Sequence, residues 1–254
     1  MTDDIEEARD WLGNEIDCST CPHALLKTSG GCRPRHSCVN DRYARRIDRF
    51  FSWNRELADG YVKHPHFEVR AIAARHANLF LLPPLLDDPE ETVRWNAARR
   101  LPKRLVLRLR SDPHREVRIR IATLLESGEL IPLLQDEDYY VRLVVARRIA
   151  PVLLSRLMHD EEVEVRRIVA RRVPYDWLLG MASDPDATVR IEIAQRLSPD
   201  LLAVLRHDPD WRVRYEVASR IAVAHLSGMT DDEDVMVQEV ARSRVAVRAE
   251  RSGA

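Results

Sequence analysis

Along most of the chain the apolar positions recur at a fixed interval of 24 residues. The pair Val-Arg stands at 69–70, 93–94, 117–118, 141–142, 165–166, 189–190 and 213–214, with Val237-Gln238 as a last variant, and no step is lengthened or shortened. Within each period the valine, an aliphatic residue four positions on and another eight positions on share one helical face, as in Val93, Ala97 and Leu101 or Val189, Ile193 and Leu197. Alanine recurs at 74, 98, 122, 146, 170, 194 and 218, where neighbouring helices would approach closely, and aspartate at 88, 112, 136, 160, 184, 208 and 232. The pattern predicts one α-helix of about 13 residues per repeat, roughly 20 Å long. The aspartate serves as its N-cap and the proline of each Asp-Pro pair as its first residue, and Pro102, Pro151, Pro174 and Pro199 stop it.

The rest of each repeat holds a second apolar set, such as Leu105, Val106 and Leu109 or Leu201, Leu202 and Leu205. Only about one helical turn fits there, and Pro84 and Pro132 in or beside it favour a 3-10 turn over a second α-helix. Such units bury their apolar faces by stacking, so residues 65–254 read as an all-α solenoid of eight repeats. The last repeat, with Arg242, Glu250 and Gly253 in core columns, reads as a capping or fraying end. The column Arg70, Arg94, Arg118, Arg142, Arg166, Arg190 and Arg214 could track phosphates. As many aspartates, six positions upstream in the same repeat or in a neighbouring one, favour a ladder of structural ion pairs instead.

Segments such as DPEETVRWNAARRL (88–101) and DPDATVRIEIAQRL (184–197) resemble the second helix of HEAT-like repeats, including those of bilin lyases. Those repeats run to about 40 residues with two α-helices. A strict 24 is more similar to the leucine-rich repeat variant, in which α-helices alternate with 3-10 helices, and that resemblance implies a right-handed solenoid without strands.

The chain is 45% apolar but 6% aromatic, so the core is aliphatic, and its eight glycines argue against an all-β fold. No apolar run reaches the roughly 18 residues of a membrane span. The acidic start MTDDIEEARDWLG lacks a signal-peptide pattern, which places the chain in the cytoplasm, where thiols stay reduced. Charge is uneven under a net of −1. Residues 1–17 carry seven acids against Arg9, residues 18–64 nine Lys/Arg against four acids, and the repeats sum to zero, unlike a general nucleic-acid binder.

All four cysteines, Cys18, Cys21, Cys32 and Cys38, fall in CSTCPHALLKTSGGCRPRHSC, ahead of the repeats. Four thiolates of which two form a CxxC pair make a metal-binding set. From spacing alone zinc and an iron–sulfur cluster stay open: Pro22 after Cys21 and the glycines before Cys32 suit a cluster, but glycines also suit zinc knuckles. A four-cysteine segment ahead of 24-residue repeats resembles the iron–sulfur protein of the leucine-rich repeat variant family of nitrogen-fixing bacteria. The resemblance implies a [4Fe-4S] cluster on Cys18, Cys21, Cys32 and Cys38, in an N-terminal subdomain spanning residues 1–64. His23 and His36 read as exposed or supporting residues rather than ligands, and the other histidines as scattered surface or loop positions.

Residues 39–64 read as one or two helices whose stripe Tyr43, Ile47, Phe50 and Phe51, with Leu57 and Tyr61, forms the seam with the first repeat. Arg42, Arg45, Arg46 and Arg49 share the other side, either as a solvated face or as a patch steering an acidic redox partner. Residues 3–17, with Ile5, Ala8, Leu12 and Ile16 at helical spacing, read as a short helix. No phosphate loop, HExxH or nucleophile–base pair is legible. The favoured function is a protein-binding module whose cluster is a redox centre, a sensor or a brace. The alternatives are nucleic-acid binding through the arginine columns and a bilin-lyase-like enzyme.

Overall fold

The computed structural model describes residues 7–252, with side chains through Arg248. The chain packs as two units, residues 1–125 and 126–254. Helices dominate both; among the described residues the extended pairing is confined to two isolated bridges, Arg9–Glu15 and Arg33–Ser37.

In the first unit a short helix, Ala24–Ser29, leads to the helix Ala44–Trp53 and a 3-10 helix, Arg55–Tyr61. Three repeat helices follow, Phe67–His76, Glu91–Ala98 and Arg115–Leu124, separated by 3-10 segments and, at Lys103–Val106, by a single α-turn. The expected seam holds: Ile47, Phe50 and Phe51 are buried, and the Phe51 ring meets those of Tyr61 and His76. In the second unit the alternation is regular. The α-helices Tyr139–Arg148, Val163–Arg172, Ala187–Arg196, Trp211–Arg220 and Val235–Ser252 alternate with the 3-10 helices Ser127–Gln135, Pro151–Leu157, Tyr175–Met181, Leu202–Leu205 and Val223–His225. The core is aliphatic, as in Val165, Val169, Leu154, Leu178 and Ile193, all without exposed surface.

Up to Trp211–Arg220 the repeat helices are 8–10 residues long, shorter than the pattern predicts, mainly because they begin later than expected. The helix stops at a buried aliphatic residue such as Ile149, Val173 or Leu197, which plugs the core one or two residues ahead of Pro151, Pro174 or Pro199, where the prolines were expected to stop it. The periodic aspartate is not the N-cap. It ends the preceding 3-10 helix, and its carboxylate accepts the backbone N–H two residues on, as Asp112 does from His114 (2.8 Å) and Asp208 from Asp210 (2.9 Å). The cap position falls at that second residue, where Asp138, Asp186 and Asp210 accept helix N–H groups.

The periodic Arg–Asp ladder is present with different partners. Within each unit the arginine takes the aspartate of the following repeat, 18 residues downstream, in a bidentate pair: Arg94 with Asp112 in the first unit, Arg166 with Asp184 and Arg190 with Asp208 in the second. The aspartate six positions upstream contributes its backbone carbonyl, as Asp184 does to Arg190 at 2.7 Å. A second ladder escaped the sequence reading. Arg100, Arg172, Arg196, Arg220 and Arg244 each reach back 26 residues to the carbonyl of the periodic alanine. Arg196 also takes the Val173 carbonyl (2.8 Å), and Arg220 that of Leu197 (2.9 Å). These carbonyls are the ones a helix C-terminus leaves unsatisfied, so a repeat carrying this arginine caps the one before it within its unit. In the last repeat Gln238 replaces the arginine and reaches the Asp232 carbonyl, Val237 and Ala241 are buried, and Arg242 is exposed; the side chains of Glu250 and Gly253 lie outside the described residues.

Candidate metal centre

The segment carrying the cysteines is folded by short-range backbone logic. The helix Ala24–Ser29 ends at Gly30 in the left-handed region (φ 83°), and the N–H groups of Gly31 and Cys32 turn back onto the Leu26 carbonyl at 2.8 and 3.1 Å. A side chain at Gly31 would meet Asn54 Oδ1 at 3.0 Å and Leu26 at 3.1 Å. Buried Asn54, at the end of the helix Ala44–Trp53, donates to the Gly31 carbonyl and to that of Phe50, both at 2.8 Å, which pins Cys32 to the following helix. Between Cys32 and Cys38 the chain makes a tight hairpin, Arg33 and Ser37 exchanging two 2.8 Å hydrogen bonds around a Pro34-Arg35 tip with Arg35 at φ 64°. Asp41, fully buried, accepts from the Tyr43 N–H at the next helix start and pairs with Arg46 at 2.9 Å.

All four cysteines are free thiols; Cys18, Cys21 and Cys32 are half-buried and Cys38 is buried. Cys21 Sγ accepts from the His23 backbone N–H at 3.4 Å and from the Asn40 side chain at 3.6 Å. Burial pushes the Cys38 thiol up to about 12, reinforced by Asp41, Cys21 and Cys32, and raises Cys32, reinforced by Cys21 and Cys18 against the pull of Lys27. The thiols thus act on one another. Cys32 and Cys38 resist ionisation until something cationic joins them, which is the behaviour of donors that release protons as they take metal. Next to Cys38, the Ser37 hydroxyl is completely buried and lacks a hydrogen-bond partner, and a sulfur acceptor would satisfy it. The donor set therefore fits an iron–sulfur group. Among the described residues no three His, Cys, Asp or Glu side chains converge on a point that would hold a single metal ion.

Around the thiols lies an aromatic and imidazole layer that the sequence reading scattered. His23 Nε2 is 2.5 Å from the Tyr61 hydroxyl, and Tyr61 is raised to about 12 by burial, then by Cys21 and Cys38. The Phe50 ring lies 5.5 Å from His23, His64 is 5.9 Å from Tyr61, and Trp11 stacks on His66 at 5.4 Å. Burial lowers His23, His64 and His66, keeping them neutral.

Two other expectations change. The stretch Arg42–Arg49 is not one solvated basic face: Arg46 is buried on Asp41 and the Glu7 carbonyl, and Arg49 donates to the His36 carbonyl at 2.9 Å. Residues 3–6 of the expected N-terminal helix lie outside the described residues, and residues 7–17 form no helix. The Asp10 carboxylate takes the N–H groups of Leu12 and Asn14, and Gly13 sits at φ 90°. A side chain that satisfies nearby backbone donors competes with helix formation. The loop so formed still packs on the arginine-rich helix start, where Arg42 N–H meets the Arg9 carbonyl at 3.0 Å. No described helix is long and apolar enough to cross a membrane.

Residues 8–60 match the family model described as LRV protein FeS4 cluster. Over 96 residues the chain is 50% identical to an uncharacterized 27.7 kDa protein in the nifB 3′ region of Rhodobacter capsulatus; the match covers 38% of this chain and 39% of that protein. A solved structure, described as a leucine-rich repeat variant with a novel repetitive protein structural motif, superposes with a TM-score of 0.85 at 40% identity. That superposition covers 90% of this chain and 98% of the other.

Proposed function

This chain belongs to the leucine-rich repeat variant family, and we propose that it is an iron–sulfur binding module in which Cys18, Cys21, Cys32 and Cys38 hold a [4Fe-4S] cluster beside a protein-binding solenoid. The observation that carries the reading is four mutually interacting free thiols in the segment that matches an FeS4-cluster family. When bound, such a cluster supplies one-electron redox capacity. The chain's own residues supply the surroundings that set it: Asn40 and the His23 N–H donate to Cys21, Ser37 stands as a further donor, and the Phe50–Tyr61 layer keeps water from the inner side.

The solenoid supports the binding half of the proposal. In the second unit the 3-10 helices expose Val152, Tyr175, Trp177, Leu179 and Val204, and Leu201 is exposed just ahead of one, which supplies apolar side chains for a partner. Phosphate tracking by the periodic arginines loses its residues, because their guanidiniums are committed to carboxylates and carbonyls.

The test is iron, acid-labile sulfide and zinc content with a visible spectrum on protein purified without oxygen. About four iron and four sulfide per chain, lost on Cys21→Ser, are expected. One zinc without sulfide would overturn the proposal.

A further inference from the structure

Between Cys18 and Cys38 the chain has no acidic residue and three cations, Lys27, Arg33 and Arg35, although the whole chain is slightly negative. All three are exposed. Lys27 acts electrostatically on Cys32, Arg33 is its neighbour in sequence and acts on His36, and Arg35 forms the hairpin tip. That tip holds a non-glycine residue at φ 64°, a conformation an L side chain seldom adopts. Pro34-Arg35 occupies the middle of a turn where glycine or asparagine is usual at the second position. The same segment exposes apolar side chains: Leu25 is 84% exposed on the helix carrying Lys27, and Trp53, 47% exposed, lies with its ring 5.5 Å from His36, a residue on which Arg33 acts. Of the thiols, Cys18, Cys21 and Cys32 are half-buried, whereas Cys38 is buried.

A small apolar centre ringed by charges of one sign, beside the accessible edge of a redox site, is the form of a transient electron-transfer interface, which buries less than about 1,200 Å² and relies on steering for its speed. We infer that the Lys27, Arg33 and Arg35 rim with Leu25 and Trp53 is the docking surface for an acidic one-electron carrier protein. The inference rests on the cluster reading above. In the encounter the carrier is oxidised by one electron and the cysteine-held site is reduced by one, and no bond forms or breaks.

The experiment is stopped-flow reduction of the intact, cluster-loaded protein by a reduced, acidic plant-type ferredoxin, followed across ionic strengths from about 0.02 M to about 0.5 M. The rate constant is expected to fall at least about tenfold over that range, as steered associations do. Arg33→Glu/Arg35→Glu should lower the low-salt rate at least about tenfold, with iron content and reduction by dithionite unchanged. Arg33→Lys/Arg35→Lys should stay close to the parent. Arg147→Glu, an exposed arginine of the second unit, controls for net charge and should leave the rate within about twofold. A loaded, dithionite-reducible protein that accepts electrons equally in the charge-reversed and parent forms would overturn the docking inference while leaving the cluster intact. So would charge reversal that spares the carrier rate but abolishes binding of a DNA duplex, which would make the rim a phosphate site. Protein that never carries iron and sulfide would remove both proposals.

Discussion

Arg190 is the cleanest place to test what holds neighbouring repeats together. Its guanidinium is 7% exposed, pairs with Asp208 at 2.7 and 2.8 Å, and donates to the carbonyls of Asp184 (2.7 Å) and Pro185 (3.1 Å). Arg190→Met keeps much of the stem and removes the charge. Asp208, 6% exposed, would retain the Asp210 N–H but lose its cation. Breaking a buried pair by removing one partner costs about 3–5 kcal/mol, because the remaining charge is left uncompensated. An exposed pair such as Arg171–Glu192, whose arginine side chain is 46% exposed, is worth less than about 1 kcal/mol. Repeat arrays need not unfold in a single step, so the assay is residue-resolved hydrogen exchange rather than one melting temperature. Amides of the helices Ala187–Arg196 and Trp211–Arg220 should lose at least about a hundredfold of protection, the equivalent of about 3 kcal/mol. Arg190→Met/Asp208→Leu should recover part of that loss, because no buried charge is then stranded. A loss below about 1 kcal/mol, or a double variant worse than the sum of the singles, would refute the claim that the ladder binds repeats through buried charge.

Other outcomes follow from the same geometry. Arg196→Met strips donors from the carbonyls of Ala170 and Val173 and should cost about 2–3 kcal/mol, read in the exchange of the C-terminal turn of Val163–Arg172 rather than in the arginine's own helix. Acid should unfold the repeats along a defined slope. The Arg212 guanidinium holds Asp210 at about 2, the Thr188 hydroxyl lowers Asp186, and Arg214 lowers Asp232. Carboxylates depressed in the folded state contribute stability that is complete above their unfolded value near pH 4 and is lost as pH falls through the folded value. Denaturant unfolding should therefore be level from about pH 7 to 5 and weaken from there towards pH 2; a flat profile over that lower range would contradict it. Gly31→Ala should loosen the cysteine segment by about 1–2 kcal/mol, since Asn54 is fixed by two hydrogen bonds. The readout is faster release of iron to a chelator, with repeat exchange unchanged.

The repeat architecture was legible because its signals are periodic and local: valines and alanines at 24-residue steps can bury only by stacking. What the pattern hid was direction. The sequence places Asp184 equally well as an N-cap, as a partner of Arg190 or as a partner of Arg166, and only the packing of one repeat on the next selects Arg166. The second ladder was hidden differently. Arg196 lies among many arginines, and the groups it serves, the Ala170 and Val173 carbonyls, carry no sequence signature. At the candidate site the four cysteines were plain, but Tyr61 read only as part of the seam and His64 and His66 as surface or loop positions. That Tyr61 faces Cys21 and Cys38, with His64 against its ring, depends on how the helix Ala44–Trp53 turns the chain, a tertiary fact. The N-terminal segment misled because helical spacing of Ala8, Leu12 and Ile16 counts apolar positions and not the Asp10 carboxylate, which captures the donors a helix would have used.

The ladder also gives a physical reason for a period that admits no insertion. Each rung spans two repeats: Arg166 is fixed at one end by the Asp160 carbonyl six residues upstream and at the other by the Asp184 carboxylate 18 residues downstream. Asp184 in turn orders its own turn through the Asp186 N–H and gives its carbonyl to Arg190. One residue added anywhere between Asp160 and Asp184 displaces an end of a buried, bidentate pair, and the displaced aspartate carries the next rung with it. Loop length in most folds is cheap to change because closure entropy grows slowly with length. Here a one-residue insertion strands a buried charge, so it should cost on the order of the 3–5 kcal/mol of a broken buried pair. A glycine inserted after Gly180, in an exposed stretch of the 3-10 helix Tyr175–Met181, separates the two cases. Ordinary loop behaviour predicts a loss below about 1 kcal/mol. The ladder predicts the larger loss, concentrated in hydrogen exchange of the helices Val163–Arg172 and Ala187–Arg196 that Arg166 and Asp184 join.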